Sequence, residues 1–388
     1  MPLDISQRSK RIVQSEIRSM HIECEKVKGI NLSQGVCDTE VPLPVRRGAQ
    51  KAVEDGINSY TRYDGLAELR KAIAKKMREF NGIEADPDGE IIVSGGSTGA
   101  FYCACLALLN PGDEVILFEP YYGYHVNTLL AAEAVPSYMR LHPPDWTFSA
   151  RDLEAAVTPK TKGIVVNTPA NPSGKVFSRE ELGWIRDIAV RHDLFVFTDE
   201  IYEYFLYDGR THVSPGSLPG MADRTITISG YSKTFSITGW RIGYSVSRAK
   251  WAQMIGYLND LVYVCAPAPL QMGVAHGILE LGPDYYRDLC AQYARKRDRI
   301  CAALTNAGLK PCVPQGSYYV LADVAHLPGK SSKDKAMFIL TKARVAGVPD
   351  DAFFHADPPS PFVRFCFAKE DDELDEACRR LEKLRTRP

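Results

Sequence analysis

The chain has 388 residues, more than one hydrophobic core usually organises, so two unequal domains are expected. Hydrophobic residues make up 45%, charged residues 24%, and the formal net charge is -1, which leaves no overall field to gather nucleic acid or an anionic membrane surface. Residues 1–20 are rich in Arg and Lys and lack the apolar core of a secretory signal, and no run approaches the roughly 20 apolar residues of a membrane span, so a cytoplasmic chain is expected. The 10 cysteines are scattered. Cys103 and Cys105 have neither CxxC spacing nor a nearby His, which points to buried thiols in a reducing compartment and to no metal site.

In chain order, residues 1–45 read as an arm that joins the smaller domain, closed by Pro42 and Pro44. A series of short apolar runs then ends in small or polar residues. Residues 90–93 lead into Ser94-Gly95-Gly96, 114–118 into Glu119-Pro120, and 163–166 into Asn167-Thr168-Pro169. Residues 194–197 lead into Thr198-Asp199-Glu200, and 224–228 into Ser229-Gly230. Runs that are apolar on both faces read as central strands of a largely parallel sheet. Helical stretches over 98–109 and 178–192 lie between them, the second opened by a Ser-x-x-Glu capping box at Ser178 and Glu181.

Alternating strands and helices predict an open α/β domain over 46–285, with its ligand outside the carboxyl ends of the strands. From 286 to 388 the texture is that of a smaller α+β domain. A long amphipathic helix over 286–304 precedes strands over 317–321 and 362–367, and a last helix carries Leu374, Cys378, Leu381 and Leu384 on one stripe. No internal repeat is present, which excludes a solenoid.

The residues after each run are therefore the candidates for chemistry. Gly96, Ser97 and Thr98 open a helix directly after a strand, the arrangement in which backbone N–H groups and the helix dipole hold a phosphate. Lys233 offers an amine that can condense with an aldehyde, its pKa lowered by neighbouring positive charge, and Arg241 offers a planar fork of donors to a phosphate. Asp199, at the end of an apolar strand, is a carboxylate at the edge where a ligand would sit. Arg364 is a foreign residue in an apolar strand, which favours function over packing.

The segment from Gly230 to Gly243, with Ser232-Lys233 followed eight residues later by Arg241, resembles the lysine signature of class I aminotransferases. The string Asn167-Thr168-Pro169-Ala170-Asn171-Pro172-Ser173-Gly174 is similar to a second motif of that family, and the likeness runs from about Asn31 to the terminal helix.

The resemblance implies a fold-type-I enzyme of pyridoxal 5'-phosphate (PLP), held by Lys233 as a Schiff base. It further implies a phosphate cup of Gly96, Ser97, Thr98, Ser232 and Arg241, and Tyr122 against the pyridine ring. Asn171 and Tyr202 would meet the phenolic oxygen, with Asp199 on the ring nitrogen. Arg364 and Asn171 would take the substrate α-carboxylate, the loop at Gly35 would close over it, and Tyr263 and Phe353 would line the side-chain pocket. Tyr60 matches the residue that reaches the neighbouring subunit's phosphate site, which implies a homodimer. Three departures stand out: Gly230 where relatives carry a phosphate-binding Ser, for which Ser229 or Ser232 would compensate, Asp350 in the pocket turn after Pro349, and Val36-Cys37 after Gly35.

The activity implied is ping-pong transfer of an amino group from an L-amino acid, neutral or aromatic by preference, to a 2-oxo acid, with similarity to kynurenine, glutamine, aromatic and bacterial aspartate-type enzymes. A β-lyase acting on cysteine conjugates shares the same residues and is the alternative. A non-catalytic PLP-binding regulator is disfavoured, because Lys233, Asp199 and Arg364 are all present and the arm has no room for a DNA-binding module.

Overall fold

A computed structural model describes residues 3–384 apart from 13, 357 and 359. Its larger sheet has seven strands, in the order Ile91–Gly95, Ile242–Val246, Thr225–Gly230, Phe195–Asp199, Thr161–Asn167, Glu114–Glu119, Val135–Arg140. Every pairing is parallel except those of Ile242–Val246, which runs against both neighbours. The fold is α/β with a mostly parallel sheet, as the alternating runs predict.

Two strands lie outside the expected set. Val135–Arg140 carries Pro136 and a partly exposed pattern, because it is the sheet edge, where a missing N–H leaves no ladder bond unmade. Ile242–Val246 is fully buried, but it follows the lysine motif so closely that no turn separates it as a run. Its antiparallel course matters for the site. It starts at the edge where its neighbours end, with Gly243 opposite Gly230 and Ile242 opposite Gly95, so the residue before it, Arg241, stands at that edge too. Asn167 and Asp199 are likewise opposite each other at their strand ends.

A second sheet, antiparallel throughout, has the order Val348–Pro349, Phe362–Cys366, Tyr319–Asp323, Lys310–Cys312. Ile30–Asn31 pairs separately with Val345–Ala346. Met20, Cys24, Ile30 and Leu32 of the arm share one buried cluster with Val320, Leu340, Phe365 and Leu381. The helix Pro283–Asn306 starts three residues before the expected 286, with Pro283 in its first turn, where a proline is tolerated. Tyr285 and Tyr286 in that turn pack on Phe235 and Tyr204, while Tyr293, Ile300 and Leu304 belong to the cluster with the last helix, Asp371–Glu382. The helix thus spans both cores. At the helix Arg179–Arg191, the Ser178–Glu181 box forms reciprocally, as expected.

Behind the larger sheet's carboxyl edge lies a buried charge network. Lys76 Nζ donates to Glu203 Oε1 at 2.5 Å and to Tyr244 Oη at 3.0 Å, and Asn81 and Ser229 also donate to Glu203. Glu200 accepts from Thr198 and Ser214 and pairs with His212 at 2.6 Å. Glu200, Glu203 and His212 could crowd one cation, and Lys76 already stands there as the counter-charge of Glu203. Lys76→Met should therefore lower unfolding free energy by about 3–5 kcal/mol in urea titration, through the stranded Glu203 carboxylate. Adding Glu203→Gln should return part of that loss; strict additivity of the two changes would contradict the pairing.

Candidate active site

The strand ends converge on a cavity of about 280 Å³. Its walls include Ser97, Thr98, Tyr122, Asn171, Asp199, Tyr202, Ser232, Lys233 and Arg241, nine of the residues singled out from sequence. Phe101, Tyr124, His125, Thr128, Ile201 and Thr238 line it as well.

Lys233 follows the strand Thr225–Gly230 by three residues, and its Nζ donates to Gly35 O at 2.9 Å. Burial holds its pKa below the ordinary 10.5, with Arg241 adding to the lowering and Cys37, Cys366 and Asp199 opposing it. The expected cause, neighbouring positive charge, is thus the smaller one; loss of water around the ammonium dominates.

Asp199 Oδ2 lies 3.0 Å from His125 Nε2, both side chains largely buried. Asn167 organises the turn: its Oδ1 accepts from Asn171 N at 2.7 Å and its Nδ2 donates to Asp199 O at 2.9 Å. The Tyr202 hydroxyl is 3.1 Å from that of Tyr319, and burial pushes its pKa well up.

At the other end, Arg241 adopts a left-handed backbone (φ 57) and donates to Thr238 O and Gly95 O. Such strain in a non-Gly residue persists only where surrounding structure imposes it. A Cβ on Gly96 would overlap the Arg241 guanidinium, and Gly96 has φ +79, so glycine is required there. Ser232 faces the cavity, whereas Ser229 is turned into the buried network against Glu203. A side chain at Gly230 would meet Ile242 O at 3.0 Å, which explains the missing Ser.

A neighbouring cavity of about 210 Å³ is lined by Gly35, Tyr122, Asn171, Tyr202, Lys233, Tyr319 and Arg364 among others. Arg364 is 0% exposed. Its Nη1 donates to Asn171 Oδ1 at 2.8 Å, its Nη2 to Ser33 O, and its guanidinium faces Tyr319 at 4.3 Å and Phe353 at 5.0 Å. Its Nε has no partner, and no acidic residue pairs with it among the described residues. Phe353 is buried and lines a third cavity beside Tyr124 and Val126.

Two expected site residues lie elsewhere in this subunit. Tyr263 is outside the cavity walls; its hydroxyl accepts from Gly95 N at 2.8 Å and bonds to Asn259, behind the Gly95–Gly96 turn. Tyr60 is 83% exposed and touches none of the cavities described above. His125, Tyr319 and Cys37, whose thiol donates to Lys233 O at 3.4 Å, were not expected. No motif stands beside Tyr319; His125 follows Tyr122 by three, on the first turn of the helix Gly123–Ala131, and Cys37 follows Gly35 by two, where the sequence departs from the family.

Residues 27–381 match the family model for aminotransferase class I and II. The chain belongs to that family. It is 35% identical to kynurenine–oxoglutarate transaminase of Dictyostelium discoideum over 93% of this chain and 92% of the relative. It is 32% identical to aromatic-amino-acid aminotransferase 2 of Thermococcus litoralis over 98% of each chain. A solved structure of N-succinyldiaminopimelate aminotransferase from Mycobacterium tuberculosis superposes with a TM-score of 0.94 at 34% identity, covering 98% of this chain and 100% of that one.

This aminotransferase is PLP-dependent and of fold type I, and it transfers amino groups to 2-oxo acids. The residues present fit PLP: a half-buried amine, a carboxylate at a strand end and a strained Arg beside a helix N-terminus face one cavity. No helix of the described residues is long and apolar enough to cross a membrane.

A Cβ on Gly35 would overlap the Tyr319 hydroxyl. Gly35→Ala should cost about 1–3 kcal/mol in thermal or urea unfolding. Tyr319→Phe in the same chain should recover part of it, and an unchanged Gly35→Ala protein would show that this contact is loose.

Proposed function

We propose that Lys233, Asp199 and Tyr202 carry the chemistry of an amino-group transfer from a neutral or aromatic L-amino acid to a 2-oxo acid, by a ping-pong sequence. The observation that carries this reading is that a half-buried amine, Lys233, and a fully buried guanidinium with no ion partner among the described residues, Arg364, line one cavity. When bound, PLP supplies an electrophilic carbon for the amino group and an electron sink for the Cα carbanion.

The remaining work falls to the chain. Ser97, Thr98, Ser232, Arg241 and the N-terminus opened by Gly96 hold the phosphate. Tyr122 flanks the ring, while Asn171 and Tyr202 serve its phenolic oxygen. Asp199 keeps a proton at the pyridine nitrogen, and His125 orients Asp199. Arg364 and Asn171 take the α-carboxylate, which supplies the anion that Arg364 lacks. Lys233 anchors the cofactor through its amine and, once released, carries the proton taken from substrate Cα. Gly35 brings its loop carbonyl onto Lys233 and Phe353 walls the side-chain lobe, while Tyr263 braces the Gly95–Gly96 turn.

The same reading makes the enzyme a cytoplasmic homodimer, with an arm (1–45), a large domain (46–285) and a small domain (286–388). Exposed Tyr60 then completes the neighbouring subunit's phosphate site.

Lys233→Ala should lose turnover by about 10⁴-fold or more; near-normal turnover would overturn the assignment. Ammonia released without any oxo acid would favour β-elimination instead. Cofactor capture by PLP-free protein should rise with pH through a midpoint below 10.5, because burial favours the neutral, nucleophilic Lys233 amine at lower pH. Stopped-flow absorbance reads that midpoint, and a value at or above 10.5 would contradict it. Mixing inactive Tyr60→Ala and Lys233→Ala proteins should restore activity, to about a quarter of wild type at random exchange, since each mixed dimer has one intact site. No recovery, or sedimentation at 43.1 kDa, would refute the shared site.

A further inference from the structure

The cavity that holds Arg364 has one more cation, which the sequence reading did not single out. Arg18, on the arm helix Glu16–Lys26, lines it together with Lys233 and Arg364. No Asp or Glu is among the residues of that wall. Arg18 is also the one charged residue of its helix that has no ion partner among the described residues. Glu16 pairs with Lys333, Glu23 with Lys26, and Glu25 with His21. A cavity with two guanidinium groups, Arg18 and Arg364, and no carboxylate favours an anion with more than one charge. Lys233 is committed to the reacting amine and Arg364 to one carboxylate, so Arg18 is left for a second.

The adjoining cavity, also about 210 Å³, has a different character. It shares Ser15, Ile17, Tyr122 and Tyr124 with the first and continues into Val126, Leu130 and Phe353. The two lobes therefore adjoin, one cationic at Arg18 and one rich in aromatic and apolar residues whose wall also carries Glu16 and Asp351, carboxylates that would repel an anion. A ping-pong enzyme must admit two different side chains in turn to the same reacting atoms. Two lobes accept both without forcing a carboxylate into an apolar wall, where it would lie desolvated and unpaired.

We propose that Arg18 is a specificity residue that binds the distal carboxylate of an acidic substrate, a dicarboxylic 2-oxo acid or its amino-acid counterpart. The neutral or aromatic side chain of the other substrate turns into the lobe at Phe353. This rests on the amino-transfer reading above and adds to it the class of the second substrate. The cation comes from the arm, so an acidic substrate also draws the arm helix onto the site, whereas an aromatic one does not need it.

The test compares two unreactive carboxylates on the PLP-loaded enzyme by titration calorimetry: glutarate, with a second carboxylate, and 3-phenylpropanoate, with a ring instead. Arg18→Gln should weaken glutarate about tenfold, the modest loss expected of a charge-assisted contact partly open to water, and leave 3-phenylpropanoate within about twofold. Arg18→Lys should keep part of the glutarate affinity. In single turnover, the apparent dissociation constant for glutamate should rise with little change in the limiting rate, while both constants for phenylalanine stay near wild type. Equal losses for both carboxylates would mean that Arg18 only supports the fold, and unchanged glutarate binding would remove it from the site. Either result overturns the proposal. Wild-type enzyme that moves no amino group from phenylalanine would instead overturn the amino-transfer reading itself.

Discussion

A guanidinium buried without a counter-ion is the constraint around which this molecule is arranged. Arg364 sits in the middle of an apolar strand of the smaller sheet, wholly shielded, with carbonyl and amide oxygens and two ring faces around it but no carboxylate. Burying such a charge is costly unless an anion joins it. The contacts that hold it come from three separate parts of the chain: Ser33 in the arm, Asn171 after a strand of the large sheet, and Tyr319 beside it in the small sheet. The demand for an anion and the meeting of the two sheets are therefore the same feature.

The larger sheet supplies the other half. Six strands run one way and end at one edge, and the single reversed strand begins there, which places Arg241 opposite the helix N-terminus at Gly96. Asp199 and Lys233 lie on the same edge, Asp199 held beside His125 and Lys233 with its pKa lowered by burial. Behind that edge, Lys76, Glu203, Glu200 and His212 form a polar layer that packs under Asp199 without facing the cavity. Ser229 belongs to that layer, which is why Ser232, and not Ser229, is left to face the cavity.

Much of this was legible in the residues. Residues that end an apolar run must lie at a sheet edge, which puts Asp199 at one, and the motifs that resemble those of class I aminotransferases add Asn171 and Lys233 to the same site. Arg364 could be recognised because a charge is out of place in an apolar strand. What escaped the sequence were partners made by folding. His125 meets Asp199 from 74 positions away, and Tyr319 meets Tyr202 from 117 away; neither sits beside a pattern that marks it. The source of the Lys233 shift was misjudged for the same reason, since burial is a property of the packed chain. Tyr263 shows the reverse error: its motif position suggested the substrate, but within its own subunit it holds Gly95. Strand Val135–Arg140 escaped because an exposed edge with a proline lacks the apolar run of a central strand.

Substrate choice then follows from the walls. In the proposed reading, Arg364 selects what every substrate has in common, and the two lobes beyond it separate what differs. The central claim is that the buried Arg364 charge waits for a carboxylate. Its most direct measure is the affinity of the PLP-loaded enzyme for 3-phenylpropanoate against that for its neutral isostere, 3-phenylpropanamide. The account predicts that the carboxylate binds at least about tenfold tighter, the smallest difference expected for a charge-assisted pair in a buried site. Equal affinities would show that Arg364 is satisfied without an anion, and would contradict it.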